Sequence, residues 1–294
     1  MSWQGRVLRV NLTRGEVTPE PLNMEWANDF IGERGLGTKY LWENMDPKVD
    51  AMSPDNVLIF ATGPLTGTNA STSGRYAVLT KGPLTGAIAC SNSGGKFGAE
   101  LKYAGYDLLI VEGCSEKPVY LLIEGDEISL QSAEKIWGKT VWETDEWIKK
   151  QHHNPMLKIA TIGVAGERGV RYAAIVNDLH RAAGRSGVGS VMGSKNLKAV
   201  AVRGTHGVKV KDPKRFMQVT NEMKNLLAKD DGGLAKYGTN AMMDTMQEFG
   251  GLPTRNFQEV QFAGYDKVDA KAMLKTDETG HRNLITNKAC FGCT

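Results

Sequence analysis

The sequence predicts an α+β protein, with a β-rich domain over residues 1–207 followed by the start of a helical domain over 208–294. Three observations carry that prediction. Strand-like apolar runs recur along the first two hundred residues with few long helices between them, which argues against a doubly wound parallel sheet. The pentapeptide GPLTG closes two of those runs, at 63–67 and again at 82–86, as if one corner had been used twice. Beyond Gly207 the apolar spacing changes from alternating to helical.

Residues 5–22 alternate as a hairpin, with Leu8, Val10 and Leu12 on one face and a turn at Thr13-Arg14-Gly15. Residues 25–45 read as a helix in two pieces, broken around 32–37. Strands follow at 57–61 and 76–80, each running into its GPLTG corner. Further strands are expected at 107–112, at 119–123 paired across Glu124-Gly125-Asp126 with 127–130, at 158–163, at 171–176 and at 198–203. One clear helix is expected at 141–151. Thr140 and Glu143 form a capping-box pattern there, and Trp142, Trp147 and Ile148 are the expected buried side. After Gly207, Asp212 and Pro213 mark a helix start. Phe216, Val219, Met223, Leu226 and Leu227 recur at helical spacing behind them, and a second helix fits 238–249, closed by Gly250 and Gly251.

The 294 residues are 41% hydrophobic and 23% charged, the proportions of an ordinary soluble globular protein. Thirty-six basic and 33 acidic residues leave a formal charge of +3, which makes no case for a nucleic-acid partner. No run approaches the roughly 18 apolar residues a membrane span needs, and the first residues show no signal-peptide core, so a cytoplasmic protein is expected. The four cysteines, at 90, 114, 290 and 293, are too few for a disulfide framework in a chain of this length. Glycine is abundant, at 34 residues, and crowded between Gly32 and Gly204. Such crowding marks tight turns and backbone approaching a ligand.

Three stretches carry the chemistry. Residues 89–98, ACSNSGGKFG, are small and glycine-rich and open what reads as a helix to about Tyr103. A helix start leaves N–H groups pointing outward, a natural seat for phosphate. Taken alone, such a loop is also a tight turn with a cap. Residues 178–195, DLHRAAGRSGVGSVMGSK, form a second glycine-rich stretch between a strand and a short helix, with Arg181 or Arg185 placed to meet an anion. Its G-x-G-x-x-x-G spacing, with no acidic residue some 20 positions on, fits a dinucleotide fingerprint poorly. In the third, Ser71-Thr72-Ser73-Gly74-Arg75, an arginine follows three hydroxyls at the mouth of a strand, and its planar fork matches phosphate oxygens. Cys290-x-x-Cys293 adds two thiols within reach of one metal centre, whether zinc or iron–sulfur. A redox disulfide is a third option, but no thioredoxin-like βαβ unit precedes the pair. His180 is the only histidine near this chemistry, and His152, His153, His206 and His281 are expected to be solvated. Together these pieces point to a large phosphorylated cofactor beside a metal cluster.

The order GRVLRVNL, GPLTGT, TSGRY, SNSGG, FGAELKYAGYD, AAGRSGVGSVMGSKNLKAVAV and ACFGC resembles the N-terminal half of the tungsten-containing aldehyde:ferredoxin oxidoreductase family over essentially all 294 residues. That resemblance implies a two-sheet saddle carrying a tungsten (or molybdenum) bis-pterin, with magnesium between the pterin phosphates and a four-iron (4Fe-4S) cluster beside one pterin. It implies pterin contacts at Arg75, Asn92, Ser93, Gly94, Gly95, Ala182, Ala183, Gly184 and Arg185. It implies magnesium contacts through the backbone carbonyls of Asn92 and Ala183, and cluster ligands at Cys290 and Cys293. The remaining two cluster cysteines and the catalytic acid or base are expected in a C-terminal part beyond this sequence, so the chain is expected to be an enzyme half. The activity implied is oxidation of an aldehyde to a carboxylic acid, with electrons passing to ferredoxin or to iron–sulfur/flavin partner subunits in an oligomer. The alternatives are another low-potential reaction of the same cofactors, such as aromatic acyl-CoA ring reduction, and a non-catalytic phosphate-binding module with a structural zinc.

Overall fold

The computed structural model describes residues 2–229, 233–284 and 288–293. It divides into two compact units, residues up to Phe216 together with Cys290–Cys293, and Met217–Ala289.

The first unit is built on two six-stranded mixed sheets. One takes β1 (Arg6–Asn11), β2 (Glu16–Pro21), β3 (Leu58–Thr62), β4 (Tyr76–Lys81), β5 (Ile88–Ser93) and β6 (Leu108–Glu112) in the order β2-β1-β6-β3-β4-β5. The other takes β7 (Val119–Glu124), β8 (Glu127–Ser132), β9 (Lys158–Thr161), β10 (Ile175–Asn177), β11 (Arg181–Ala183) and β12 (Leu197–Arg203) in the order β11-β10-β9-β12-β7-β8. The helices of this unit are α1 (Met24–Phe30), α2 (Glu33–Asn44), α3 (Phe97–Tyr103), α4 (Val141–Gln151), α5 (Val164–Glu167) and α6 (Val188–Ser194).

Alternation along the strands builds three apolar layers. Leu58 and Phe60 of β3 face the central core, with Tyr76, Val78, Leu109 and Val111 beside them and Leu121, Ile123, Val200 and Val202 opposite. Ile59 and Ala61 of the same strand face outward onto Leu36, Tyr40 and Leu41 of α2. The outer face of the second sheet packs Tyr120, Leu122, Ile159 and Ala201 against Ile148 of α4. Strands buried on both faces read as continuous apolar runs, as the 57–61 and 108–111 stretches do.

Several expected elements are shifted. The helix at 25–45 breaks only at Ile31 and Gly32; Gly35 and Gly37 lie inside α2. There they allow close approach, since a Cβ on Gly35 would meet the Phe30 carbonyl oxygen at 2.5 Å and one on Gly37 would meet Leu79 Cδ1 at 2.5 Å. Residues 171–174 are turn and coil; of the expected 171–176 strand only Ile175 and Val176 pair, in a strand that runs on to Asn177. The α4 capping box is present, with Ile148 fully buried and Trp147 partly so. Trp142, however, is 58% exposed and lies outside the cluster that Ile148 joins.

The second unit holds most of α7 (Pro213–Lys229), then α8 (Leu234–Tyr237), α9 (Met243–Glu248) and α10 (Ala270–Leu274). The helix expected at 238–249 begins as a 3₁₀ turn, Gly238–Met242, before α9.

A candidate cofactor site where two sheet edges meet

The two glycine-rich stretches are not simply loops. Residues 88–93 are β5, the edge of the first sheet, and 181–183 are β11, the edge of the second, and the two strands lie against each other. An edge strand leaves one row of backbone N–H and C=O groups outside the ladder. Asn92 and Ala183 are therefore on strands with backbone groups to spare, while each is also paired inward, Asn92 with Ala77 and Ala183 with Ile175.

The edges are tied by a buried polar network that begins at Asn177, the last residue of β10. Its Oδ1 accepts from Tyr76 Oη (3.0 Å) and Ser93 Oγ (2.6 Å), and its Nδ2 donates to the Gly94 carbonyl (2.9 Å). Desolvation and the Asp178 charge hold the Tyr76 phenol well above its ordinary value, so it remains a donor. Asp178 then turns back. Its Oδ2 accepts from the backbone N–H groups of Lys96 (2.7 Å) and Phe97 (3.2 Å) and from Asn177 Nδ2 (2.8 Å). The N-terminus of α3 is thus capped by a carboxylate of this chain rather than left open to phosphate. Asp178 and Leu179 both take positive φ, 49° and 62°, a backbone that Asx residues tolerate better than most. Gly95, at φ +87°, has no room for a side chain, since a Cβ there would fall 2.7 Å from Asn177 Nδ2.

The Cys290–Cys293 turn docks onto the same place. The Phe291 N–H donates to the Gly95 carbonyl (2.9 Å), and the Thr72 N–H donates to the Gly292 carbonyl (2.7 Å). The Phe291 ring meets Tyr103 edge-on, with centroids 6.2 Å apart. A Cβ on Gly74 would fall 2.9 Å from the Phe291 carbonyl oxygen, and one on Gly94 2.6 Å from Cys290 Sγ. Arg181 Nε donates to that sulfur at 3.0 Å. The Cys293 N–H closes the turn on the Cys290 carbonyl (3.2 Å), keeping both thiols on one short segment.

Arg75 and Arg185 have exposed side chains; the Arg75 carbonyl accepts from Thr66 Oγ1 (3.0 Å), and the Arg185 N–H donates to Ser91 Oγ (3.0 Å). Ala182 and Gly184 are exposed too, and a Cβ on Gly184 would meet nothing nearer than Ala182 Cβ at 3.9 Å. On the other face of β5 the Asn92 amide is clamped, Nδ2 donating to Glu33 Oε1 (2.8 Å) and Oδ1 accepting from Arg34 Nη2 (3.2 Å). Burial pushes the neighbouring Cys90 thiol up, and a hydrogen bond from Arg34 works against it. His152, expected in solvent, is partly buried and shares a 2.7 Å hydrogen bond with Tyr120 Oη. His180 is exposed.

The candidate cofactor and cluster residues Arg75, Asn92, Ser93, Gly94, Gly95, Ala182, Ala183, Gly184, Arg185, Cys290 and Cys293 lie on the two edges or on the segments next to them. Sequence reasoning passed over Asn177, Glu33 and Arg34, and it included Asp178 in the second glycine-rich stretch without giving it a role. The Asn177-Asp178 pair between a strand and a glycine-rich stretch is a turn signal through which the sequence could have shown them.

A pterin phosphate fits these residues. The exposed guanidiniums of Arg75 and Arg185 supply charge, the edge strands supply unladdered backbone groups, and Gly184 leaves space for close approach. An iron–sulfur cluster fits in part. Cys290 and Cys293 supply two thiolates, and no group of three or more His, Cys, Asp or Glu side chains placed to hold a metal ion occurs among the described residues.

An α+β domain of two mixed sheets, with glycine-lined polar edges and a docked cysteine pair, is the class of protein defined so far. The family follows from comparison. The family model described as "Aldehyde ferredoxin oxidoreductase, N-terminal domain" matches residues 7–204, and that described as "Aldehyde ferredoxin oxidoreductase, domains 2 & 3" matches 218–294. The chain belongs to the aldehyde ferredoxin oxidoreductase family. It is 51% identical over 292 residues to the tungsten-containing aldehyde ferredoxin oxidoreductase of Pyrococcus abyssi, covering 98% of this chain and 47% of that protein. The enzyme of the same name from Thermococcus kodakarensis is 50% identical at the same coverage. An aliphatic sulfonate oxidoreductase, WOR-like subunit, of Pyrococcus furiosus is 34% identical over 278 residues, 88% of this chain and 44% of that protein. Among solved structures, the active-site complex BamBC of benzoyl coenzyme A reductase with 1,5-dienoyl-CoA aligns at TM-score 0.77 and 39% identity, over 79% of this chain and 36% of that one. The chain spans about half the length of the curated relatives it matches. No helix among the described residues is long and apolar enough to cross a membrane.

Proposed function

We propose that this chain is the pterin-carrying N-terminal part of a tungsten-pterin oxidoreductase that oxidises aldehydes to carboxylic acids. The observation that carries the reading is the convergence of β5, β11, the Arg75 loop and the Cys290–Cys293 turn on one place, within a family whose relatives are named as tungsten enzymes.

When bound, the tungsten (or molybdenum) pterin would supply two-electron oxidation chemistry, and a 4Fe-4S cluster would supply one-electron exchange with ferredoxin or a partner subunit. Arg75 and Arg185 neutralise phosphate charge on the pterins. Asn92, Ser93, Gly94 and Gly95 form one wall of the seat, and Ala182, Ala183 and Gly184 the other. The backbone carbonyls of Asn92 and Ala183 would hold a magnesium ion that neutralises phosphate charge. Glu33 and Arg34 hold the Asn92 side chain on the far face of β5, so its backbone is presented in one orientation. Cys290 and Cys293 supply two cluster thiolates. Domain limits at 1–207 and 208–294 suit this division of labour, and we take the soluble, oligomeric, cytoplasmic setting as part of the same reading.

Aromatic-ring reduction of an acyl-CoA ester is the second reading, favoured by the likeness to benzoyl coenzyme A reductase. Identity of 50–51% with the aldehyde enzymes, against 39% with the reductase, supports taking aldehyde oxidation as the first reading. Metal analysis of the intact protein tests the class. About one tungsten or molybdenum and about four irons per chain are expected; zinc alone would mean a structural site and no such enzyme. Reduction of a low-potential dye by aldehydes, against consumption of an aromatic acyl-CoA, then separates the two reactions.

A further inference from the structure

We propose that Arg181 sets the reduction potential of the iron–sulfur cluster by donating a hydrogen bond to the sulfur of its ligand Cys290. The inference rests on the reading above that Cys290 and Cys293 ligate the cluster, and it assigns to Arg181 a role apart from the phosphate contacts of Arg75 and Arg185.

Arg181 is delivered to the sulfur by a braced hairpin. It pairs with Asn177 across β10 and β11, and the turn between them is pinned by Asp178, whose carboxylate accepts from two backbone N–H groups at the start of α3. On that short, fixed hairpin Arg181 directs Nε–H at Cys290 Sγ, 3.0 Å away, while Nη1 donates to the His180 carbonyl at 3.2 Å. Gly94 completes the arrangement from the other sheet. With no Cβ it leaves the volume the sulfur occupies, since a Cβ there would fall 2.6 Å from Cys290 Sγ and 4.0 Å from Arg181 Cδ. The Asp178 carboxylate accepts from Lys96 N, Phe97 N and Asn177 Nδ2.

The consequence is electrostatic. One-electron reduction adds one negative charge to a cluster, and that charge spreads onto the ligand sulfurs. A donor N–H and a fixed guanidinium at one sulfur stabilise the reduced form more than the oxidised form, so they raise the potential. Lysine keeps the charge and loses the fixed planar donor; methionine loses both.

The test is a dithionite redox titration of the intact holoprotein, followed by EPR of the reduced cluster, for wild type, Arg181→Lys and Arg181→Met. The expected result is a midpoint that shifts negative in Arg181→Met and part of the way in Arg181→Lys, with iron content per chain unchanged. A midpoint equal to wild type in either iron-loaded variant overturns the inference. Loss of iron with an unmoved midpoint in the remaining clusters overturns it as well, since Arg181 would then only brace the turn. If Arg181→Met retains no iron, Arg181→Lys alone decides by the same criterion. A wild-type protein without an iron–sulfur signal would instead overturn the ligand reading on which the inference stands.

Discussion

Replacing Gly95 by alanine places a methyl group where Asn177 and Asp178 meet the N-terminus of α3. The new Cβ would fall 2.7 Å from Asn177 Nδ2 and against the Asp178 carboxylate, with Arg181 Cγ at 3.2 Å. The backbone there has φ +87°, which costs an L-residue about 1–2 kcal/mol. Forcing a methyl into a filled polar site costs about 1–3 kcal/mol more. The lost freedom of the unfolded chain returns about 0.4–1 kcal/mol. The net destabilisation is about 1–5 kcal/mol, with a midpoint of about 3 kcal/mol. Gly15→Ala is the matched control. Its φ is +67° and nothing lies within 4 Å of the added Cβ, so it bears only the backbone term, about 0–1.5 kcal/mol. Urea unfolding followed by tryptophan fluorescence reads the first unit alone, because all six tryptophans (3, 26, 42, 137, 142 and 147) lie in it. Equal losses in the two variants would refute the claim that the edge-to-edge network is rigid.

Lys195 is fully buried and donates to the carbonyls of Pro54 (3.2 Å), Gly113 (3.0 Å) and Asn56. Burial lowers its ammonium to about 8 from 10.5. Between those values the unfolded chain holds a proton the folded chain lacks, so stability rises with pH from about 8 to about 10.5, by on the order of 3 kcal/mol. Urea titrations should show that rise in the wild type and not in Lys195→Met; parallel pH profiles would contradict it. On α4, Ile148→Ala should lose about 2–5 kcal/mol, whereas Trp142→Ala should stay within about 0.5 kcal/mol of wild type; comparable losses in denaturant would place Trp142 in the core after all. Arg75→Ala in the intact protein should lower tungsten retained per chain through purification, and unchanged tungsten would remove Arg75 from the cofactor contacts.

Much of the frame was legible because it rests on period and punctuation. The hairpin at β1 and β2, both GPLTG corners and the α4 capping box follow from alternation, turn residues and a four-residue motif. The edges β5 and β11 were harder to read. ACSNS and RAA are short, small and polar, so they lack the apolar alternation that marks a strand, and their pairing depends on partners distant in sequence. Asp178 shows the same limit from the other side. The sequence places phosphate-seeking N–H groups at the start of α3 but cannot show a carboxylate 81 or 82 residues away arriving to cap them. Trp142 and Ile148 share a helix six residues apart, and only the position of β9 decides which of them is covered. The chemistry-bearing residues were legible as types at spacings. That Arg181, rather than Arg75 or Arg185, faces Cys290 required the hairpin.

The central claim is that the Cys290–Cys293 turn is a cluster-binding segment of a tungsten-pterin oxidoreductase. EPR of the dithionite-reduced intact protein, wild type against Cys290→Ser, tests it most directly. The account predicts a reduced iron–sulfur signal in the wild type that is lost in Cys290→Ser, while the tungsten bound per chain is retained. The same iron–sulfur signal in both proteins would contradict it.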